Sequence, residues 1–161
     1  MKPIITKDEA KKTITVQRTF NAPRSRVWNA WTKSEELDKW WGPKPWNAIT
    51  KTHNFSVGGR WLYNMQGPDG SGQWCLFDYE TIDAQNSYSG EDAFCDEKGN
   101  KSKDMPRTHW RVQFEEKDGK TTVTSILTYK TVEAMKKIID MGFEQGFSTG
   151  LDQLDDLVTK S

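Results

Sequence analysis

With 161 residues, the chain has room for one domain that buries roughly two-thirds of its unfolded surface. Its 23 Lys and Arg are matched by 23 Asp and Glu, which excludes the one-signed basic face that a nucleic-acid backbone requires. No apolar run approaches the roughly 18 residues of a membrane-spanning helix, and Met1 to Lys12 lacks the apolar centre of a secretion signal, so a cytoplasmic protein with reduced, unpaired Cys75 and Cys95 is expected.

Residues 1–12 are polar and charged and read as a flexible leader, with a single domain over 13–161. Thr13 to Phe20 alternates, with Ile14, Val16 and Phe20 on one face, as a half-buried strand does. Asn21-Ala22-Pro23 turns the chain into a short helix that buries Val27, Trp28 and Trp31. Ser34 caps a second short helix, with Glu35 and Glu36 in its first turn, where negative charge suits the helix dipole. Leu37, Trp40 and Trp41 form its apolar side, and Gly42-Pro43 ends it.

From Trp46 the period changes to two. Strands are expected at Trp46 to Thr52, Gly59 to Gln66, Gln73 to Ile82, Ser87 to Asp96, Thr108 to Glu115 and Thr121 to Tyr129. Gly67-Pro68-Asp69-Gly70 and Asp118-Gly119 carry turn chemistry, and Gly58-Gly59 suggests a bend at a strand start. Short links imply antiparallel neighbours. One face is aromatic-rich in several strands: Trp61, Tyr63 and Met65; Trp110, Val112 and Phe114; Val123, Leu127 and Tyr129. Gln73 to Ile82 is apolar on both faces, so its orientation stays open.

Thr131 to Ser161 reads as one long helix with Thr131 as N-cap and a stripe from Val132 through Met135, Ile139, Phe143, Phe147, Leu151 and Leu154 to Val158. Beside the stripe, Gly142, Gly146 and Gly150 recur every four residues, although a helical glycine costs about 1 kcal/mol against alanine. Close packing, a kink at Gly142, or a row facing a ligand would each account for them. An α+β fold follows, a curved antiparallel sheet wrapped around the final helix.

This order of elements resembles the START-like helix-grip superfamily, also called SRPBCC or Bet v-type, and within it the family named after the heat-shock-protein ATPase activator. The carriers are Phe20-Asn21-Ala22-Pro23 with Val27-Trp28 and Trp31, then Trp40-Trp41-Gly42-Pro43 and Phe55 to Trp61. Gly67-Pro68-Asp69-Gly70, Phe94 to Asn100, and Met141 to Gly146 ahead of Leu151-Asp152-Gln153-Leu154 complete them. The resemblance covers about residues 13 to 158. It implies a seven-stranded sheet gripping the C-terminal helix over a hydrophobic cavity. Twelve leader residues leave no space for the further N-terminal domain of the eukaryotic chaperone activator, so a single-domain member is expected.

Motifs for chemistry are weak. Gly146-Phe147-Ser148-Thr149-Gly150 fits Gly-x-Ser-x-Gly, but it continues a helix and both histidines precede it, so Ser148 is read as helix surface or pocket wall. His53 and His109 read as satisfied or exposed residues rather than bases. Neither paired cysteines nor paired histidines stand at metal-ligand spacing, and Asp96 to Asn100 reads as a turn, so no metal or cofactor is implied.

Eight Trp, seven Phe and four Tyr make 12% of a chain only 34% hydrophobic. Packed around a gap, such flat side chains line a pocket. The expected lining is Trp31, Trp41, Tyr63, Met65, Phe77, Phe94, Trp110, Phe143, Gly146 and Phe147, with Arg60 or Arg111 as polar contact and Asn64 and Glu144 as further inward polar candidates. The leading expectation is a non-enzymatic protein that binds a small hydrophobic or aromatic molecule. The alternatives are a cyclase or dehydratase using the same cavity and a module that contacts a chaperone.

Overall fold

A computed structural model describes residues 2–159. Among them eight strands and four helices follow in the order β1 (Ile4–Asp8), β2 (Thr13–Phe20), α1 (Arg24–Thr32), α2 (Ser34–Trp40), β3 (Asn47–His53), β4 (Arg60–Gln66), β5 (Gly72–Asp83), β6 (Ser87–Cys95), β7 (Thr108–Lys117), β8 (Lys120–Thr128), α3 (Val132–Asp140) and α4 (Phe143–Thr159). The strands form one antiparallel sheet in the order β1-β2-β8-β7-β6-β5-β4-β3. Strands β3 to β8 are a meander, and α1 and α2 carry the chain from β2 to the far edge. No described helix is long and apolar enough to cross a membrane.

The sheet has eight strands where seven were expected. The extra one is β1, inside the segment read as a flexible leader; Met1 lies outside the described residues. Ile5 lies opposite Val16 and packs against the core, and Lys7 reaches Glu144 of α4 at 2.9 Å. Its sequence alternates too weakly to be read locally. What orders it is the open edge of β2, whose backbone groups would otherwise lack partners.

Strand parity places one apolar set inside. Trp61, Tyr63, Phe77, Tyr79, Trp110, Val112, Phe114, Val123 and Leu127 join the main core with Trp28, Trp31, Trp40, Leu151 and Leu154. The ambiguous strand resolves the same way: Phe77 and Tyr79 point inward, while Leu76 joins Leu62, Ala93 and Cys95 in a small cluster on the other face. The helix after Lys33 departs from expectation in detail. Ser34 is its first helical residue, and Lys33 is the N-cap, without a side-chain hydrogen bond.

The C-terminal segment is two helices rather than one, and Lys160 and Ser161 lie outside the described residues. Thr131 caps α3, accepting from the Ala134 N–H at 3.0 Å. The break follows at Met141–Gly142, where Gly142 has φ +91°, a left-handed conformation that ends helices and that glycine adopts without strain.

Candidate functional site

The break in the C-terminal helix opens a cleft against the sheet. Its volume is about 240 Å³. Helices α3 and α4 supply Ile138, Phe143, Gly146 and Phe147 and the break between them Met141, the chain after α2 supplies Trp41 and Pro43, and the sheet supplies Asp92, Phe94, Thr108 and Trp110, with Tyr129 just beyond β8. An adjoining groove of about 470 Å³ shares Pro43, Asp92, Phe94 and Met141 and adds Tyr63, Met65 and Cys75. The walls are aromatic. Phe143 and Phe147 stack at 5.4 Å, and Trp110 meets Phe147 edge-on at 5.5 Å.

Asp92 is the carboxyl between the two spaces. It stands on β6 opposite Thr108 of β7, on the same face as Tyr88 and Phe94. Trp110 Nε1 donates to it at 2.5 Å, and Thr108 directs both its backbone N–H and its hydroxyl at the same group. Burial pushes the Asp92 carboxyl up to about 7; the hydrogen bonds from Trp110 and Thr108 act the other way, and neighbouring Glu91 adds to the rise. In the same cleft lies the Tyr129 hydroxyl, on a residue only 4% exposed, with the Thr108 side chain as its polar neighbour.

Of the residues singled out in the sequence, Trp41, Phe94, Trp110, Phe143, Gly146 and Phe147 line the cleft, and Tyr63 and Met65 line the groove. Trp41 Nε1 donates to Tyr63 Oη at 2.9 Å, which joins the two walls. Trp31 and Phe77 lie deeper. Trp31 packs on Trp40 with ring centres 4.8 Å apart, and Phe77 packs on Tyr79.

The arginines are elsewhere. Arg60 precedes inward-facing Trp61, so parity turns it to the other face, where it pairs with Asp78 at 2.5 Å and donates to the Gly99 carbonyl. Arg111 alternates out between Trp110 and Val112 and borders a separate surface hollow with Arg24 and Glu115. Asn64 is turned away from Tyr63 by the same alternation, and Glu144 is held by Lys7. His53 donates to or accepts from Tyr79 Oη at 3.0 Å, and burial holds its pKa below the ordinary value despite Glu35 and Asp38. His109 sits with Glu80 at 2.9 Å on the exposed face.

Asp92, Thr108 and Tyr129 were not among the residues selected from sequence. A signal existed for the first: Tyr88, Asp92 and Phe94 alternate on one strand, so an acid stands in an aromatic row.

Each glycine of the row has a different role. Gly142 makes the break. A methyl group on Gly146 would meet only Pro43 Cγ at 3.8 Å, an ordinary contact, whereas one on Gly150 would lie 3.3 Å from the Trp40 carbonyl oxygen. Gly146→Ala is therefore expected to stabilise by up to about 1 kcal/mol through helix propensity. Gly150→Ala is expected to destabilise by about 1–2 kcal/mol through overpacking. Urea midpoints of the two variants, moving in opposite directions, check this.

A family model described as "Activator of Hsp90 ATPase homolog 1-like protein" matches residues 21–159. Among solved structures, Protein Ms6760 from Mycobacterium smegmatis is 34% identical, with a TM-score of 0.90 over 98% of this chain and 97% of that one. A protein from Arthrobacter aurescens is 33% identical, with a TM-score of 0.92 over 98% and 92%. One from Staphylococcus epidermidis is 35% identical, with a TM-score of 0.84 over 96% and 94%. No protein with a curated description matches the chain.

Proposed function

The chain belongs to the family of activator of Hsp90 ATPase homolog 1-like proteins, and from that premise we propose that it binds a small, largely apolar molecule in the cleft between the sheet and the α3–α4 break. One observation carries this reading: a carboxyl and a buried phenol, Asp92 and Tyr129, both line a cleft otherwise walled mainly by apolar and aromatic side chains. Polar groups in such a place orient a ligand whose body the walls hold. Trp41, Trp110, Phe143 and Phe147 supply the apolar contact, and Gly146 leaves the space for it.

Filling that space tests the proposal. The neutral fluorophore N-phenyl-1-naphthylamine is expected to gain fluorescence with the native protein. Gly146→Leu, whose side chain would project into the cleft, is expected to weaken its binding at least tenfold while the urea midpoint stays within about 1 kcal/mol of native stability. Unchanged binding in that variant would remove the cleft from consideration.

A second reading, an enzyme of the cyclase or dehydratase kind, is favoured by the Asp92 carboxyl at about 7, since an acid or base works best near the operating pH. Contact with a chaperone has less support in this chain. Of its exposed large apolar side chains, Trp46 and Met141 border the groove already described, and the others are dispersed: Ile4 on β1 and Ile49 on β3 stand at opposite ends of the strand order, and Val57 lies in a loop.

A further inference from the structure

We propose that the cleft selects a protonated organic amine, its ammonium group set against the Asp92 carboxylate and the Tyr129 hydroxyl and its apolar body held by Trp41, Trp110, Phe143 and Phe147. This deepens the binding reading above and rests on it.

The argument starts from the donors around Asp92. Trp110 Nε1 and the backbone and hydroxyl of Thr108 all point hydrogens at one carboxyl. A carboxylate accepts all three, whereas a protonated acid has a hydrogen of its own to place. The site is thus shaped for the anion, yet it holds no opposite charge. Among the described residues, no Lys, Arg or His lines the cleft or the adjoining groove. Lys101 and Arg107 are engaged by the adjacent Glu91, on the opposite face of β6. An anion buried without a cation is costly, and a cationic ligand supplies what is missing.

The remaining walls agree with that charge. Ammonium groups are attracted to the faces of Trp, Tyr and Phe, and aromatic cages are their usual receptors. The Tyr129 oxygen, beside the Thr108 hydroxyl, keeps a lone pair able to accept an N–H hydrogen bond. At the helix break the C-terminal end of α3 and the N-terminal end of α4 meet, so their opposite end charges largely offset one another. For an ionised fatty acid or phosphate the same cleft offers no cation, and the Asp92 carboxylate repels it.

Titration in the neutral range belongs to Asp92. The other titratable groups bearing on it are Tyr63 from β4, Cys75 from β5, Tyr129 beyond β8 and Glu91 from β6 itself; α3, α4 and the break between them contribute only Ile138, Met141, Phe143 and Phe147 as large cleft-facing side chains. Burial raises the Tyr63 and Tyr129 phenols above their ordinary range and the Cys75 thiol to about 12, so all three stay neutral near pH 7.

Phenethylamine and 2-phenylethanol have nearly the same shape and both donate hydrogen bonds, so they separate charge from size. By calorimetry at pH 8 the amine is expected to bind at least tenfold more tightly than the alcohol. Its affinity should fall about tenfold for each pH unit below 7, with a proton released on binding at pH 6 and none at pH 8. Asp92→Asn, checked for folding by its urea midpoint, should erase the preference, so that amine and alcohol bind within about threefold of each other. Equal or tighter binding of the alcohol at pH 8, or amine binding that survives Asp92→Asn, overturns the amine assignment while the cleft remains a binding site. Failure of both molecules to bind the native protein overturns the binding reading as well.

Discussion

Trp40→Ala is expected to destabilise the protein by about 3–5 kcal/mol, the range for removing a large aromatic side chain from a closed core. Trp40 is fully buried at the crossing of α1, α2 and α4. Its ring meets Trp31 at 4.8 Å and Trp41 at 5.3 Å, and its Nε1 donates to the Ala30 carbonyl at 2.8 Å. Its own carbonyl accepts from Gln153 Nε2 of α4 at 3.0 Å. Alanine would leave a cavity under the long helix and an unpaired buried carbonyl at Ala30. Trp40→Phe keeps most of the packing but not the hydrogen bond, so it should cost about 1–3 kcal/mol. Urea unfolding followed by circular dichroism separates the two variants; equal losses would show that the indole N–H accounts for the whole effect.

Between pH 4 and pH 7, the native protein should lose about 2–4 kcal/mol of stability that Asp92→Asn does not lose. The Asp92 carboxyl moves from 3.8 to about 7 on folding, chiefly through burial, and such a difference corresponds to about 4 kcal/mol, reduced where water reaches the cleft. Its folded form binds the proton more tightly than the unfolded chain, so the contribution is full below the unfolded value near 4. It disappears as pH rises through about 7.

Other groups act in separate or opposing ways. Asp78 is held low by Arg60 and Lys101 against the effect of its burial. The exposed Asp69 and Asp96 are held low by hydrogen bonds from Ser71 and Asn100, respectively. These three lose stability only as pH falls below about 4. His53, kept neutral by burial, opposes Asp92, because stability falls as pH drops below the ordinary histidine value. The difference between native and Asp92→Asn stabilities across the pH series removes these shared terms. A difference independent of pH would show that Asp92 ionises freely in the folded protein.

The elements themselves were legible because their signals are local. Alternation marked β2 through β8 to within one or two residues, Thr131 was readable as a cap, and Asp118-Gly119 as the link between β7 and β8. Most of the cleft's aromatic wall followed from periodicity: strand parity put Trp110 on an inward face, and the helical stripe did the same for Phe143 and Phe147. The same parity argues against Arg60 and Arg111, each next to an inward tryptophan. They had been selected for their charge, and the alternation that placed Trp61 and Trp110 inside turned them out. β1 was missed because its pairing energy comes from a partner strand and not from its own pattern.

What the sequence alone determined was the alternation of periods, the turns and caps, and hence a curved antiparallel sheet with a helical C-terminus; these depend on neighbours within a few residues. The meaning of Asp92 and of each glycine was decided only in three dimensions. Asp92 becomes an unusual acid because Thr108 and Trp110 of another strand and Phe143 of a distant helix gather around the cleft it lines. Gly146 borders a cleft while Gly150 closes onto Trp40, because one meets only the Pro43 ring and the other, one turn on, the Trp40 carbonyl. Burial and close approach are properties of non-local contact, and no local pattern encodes them.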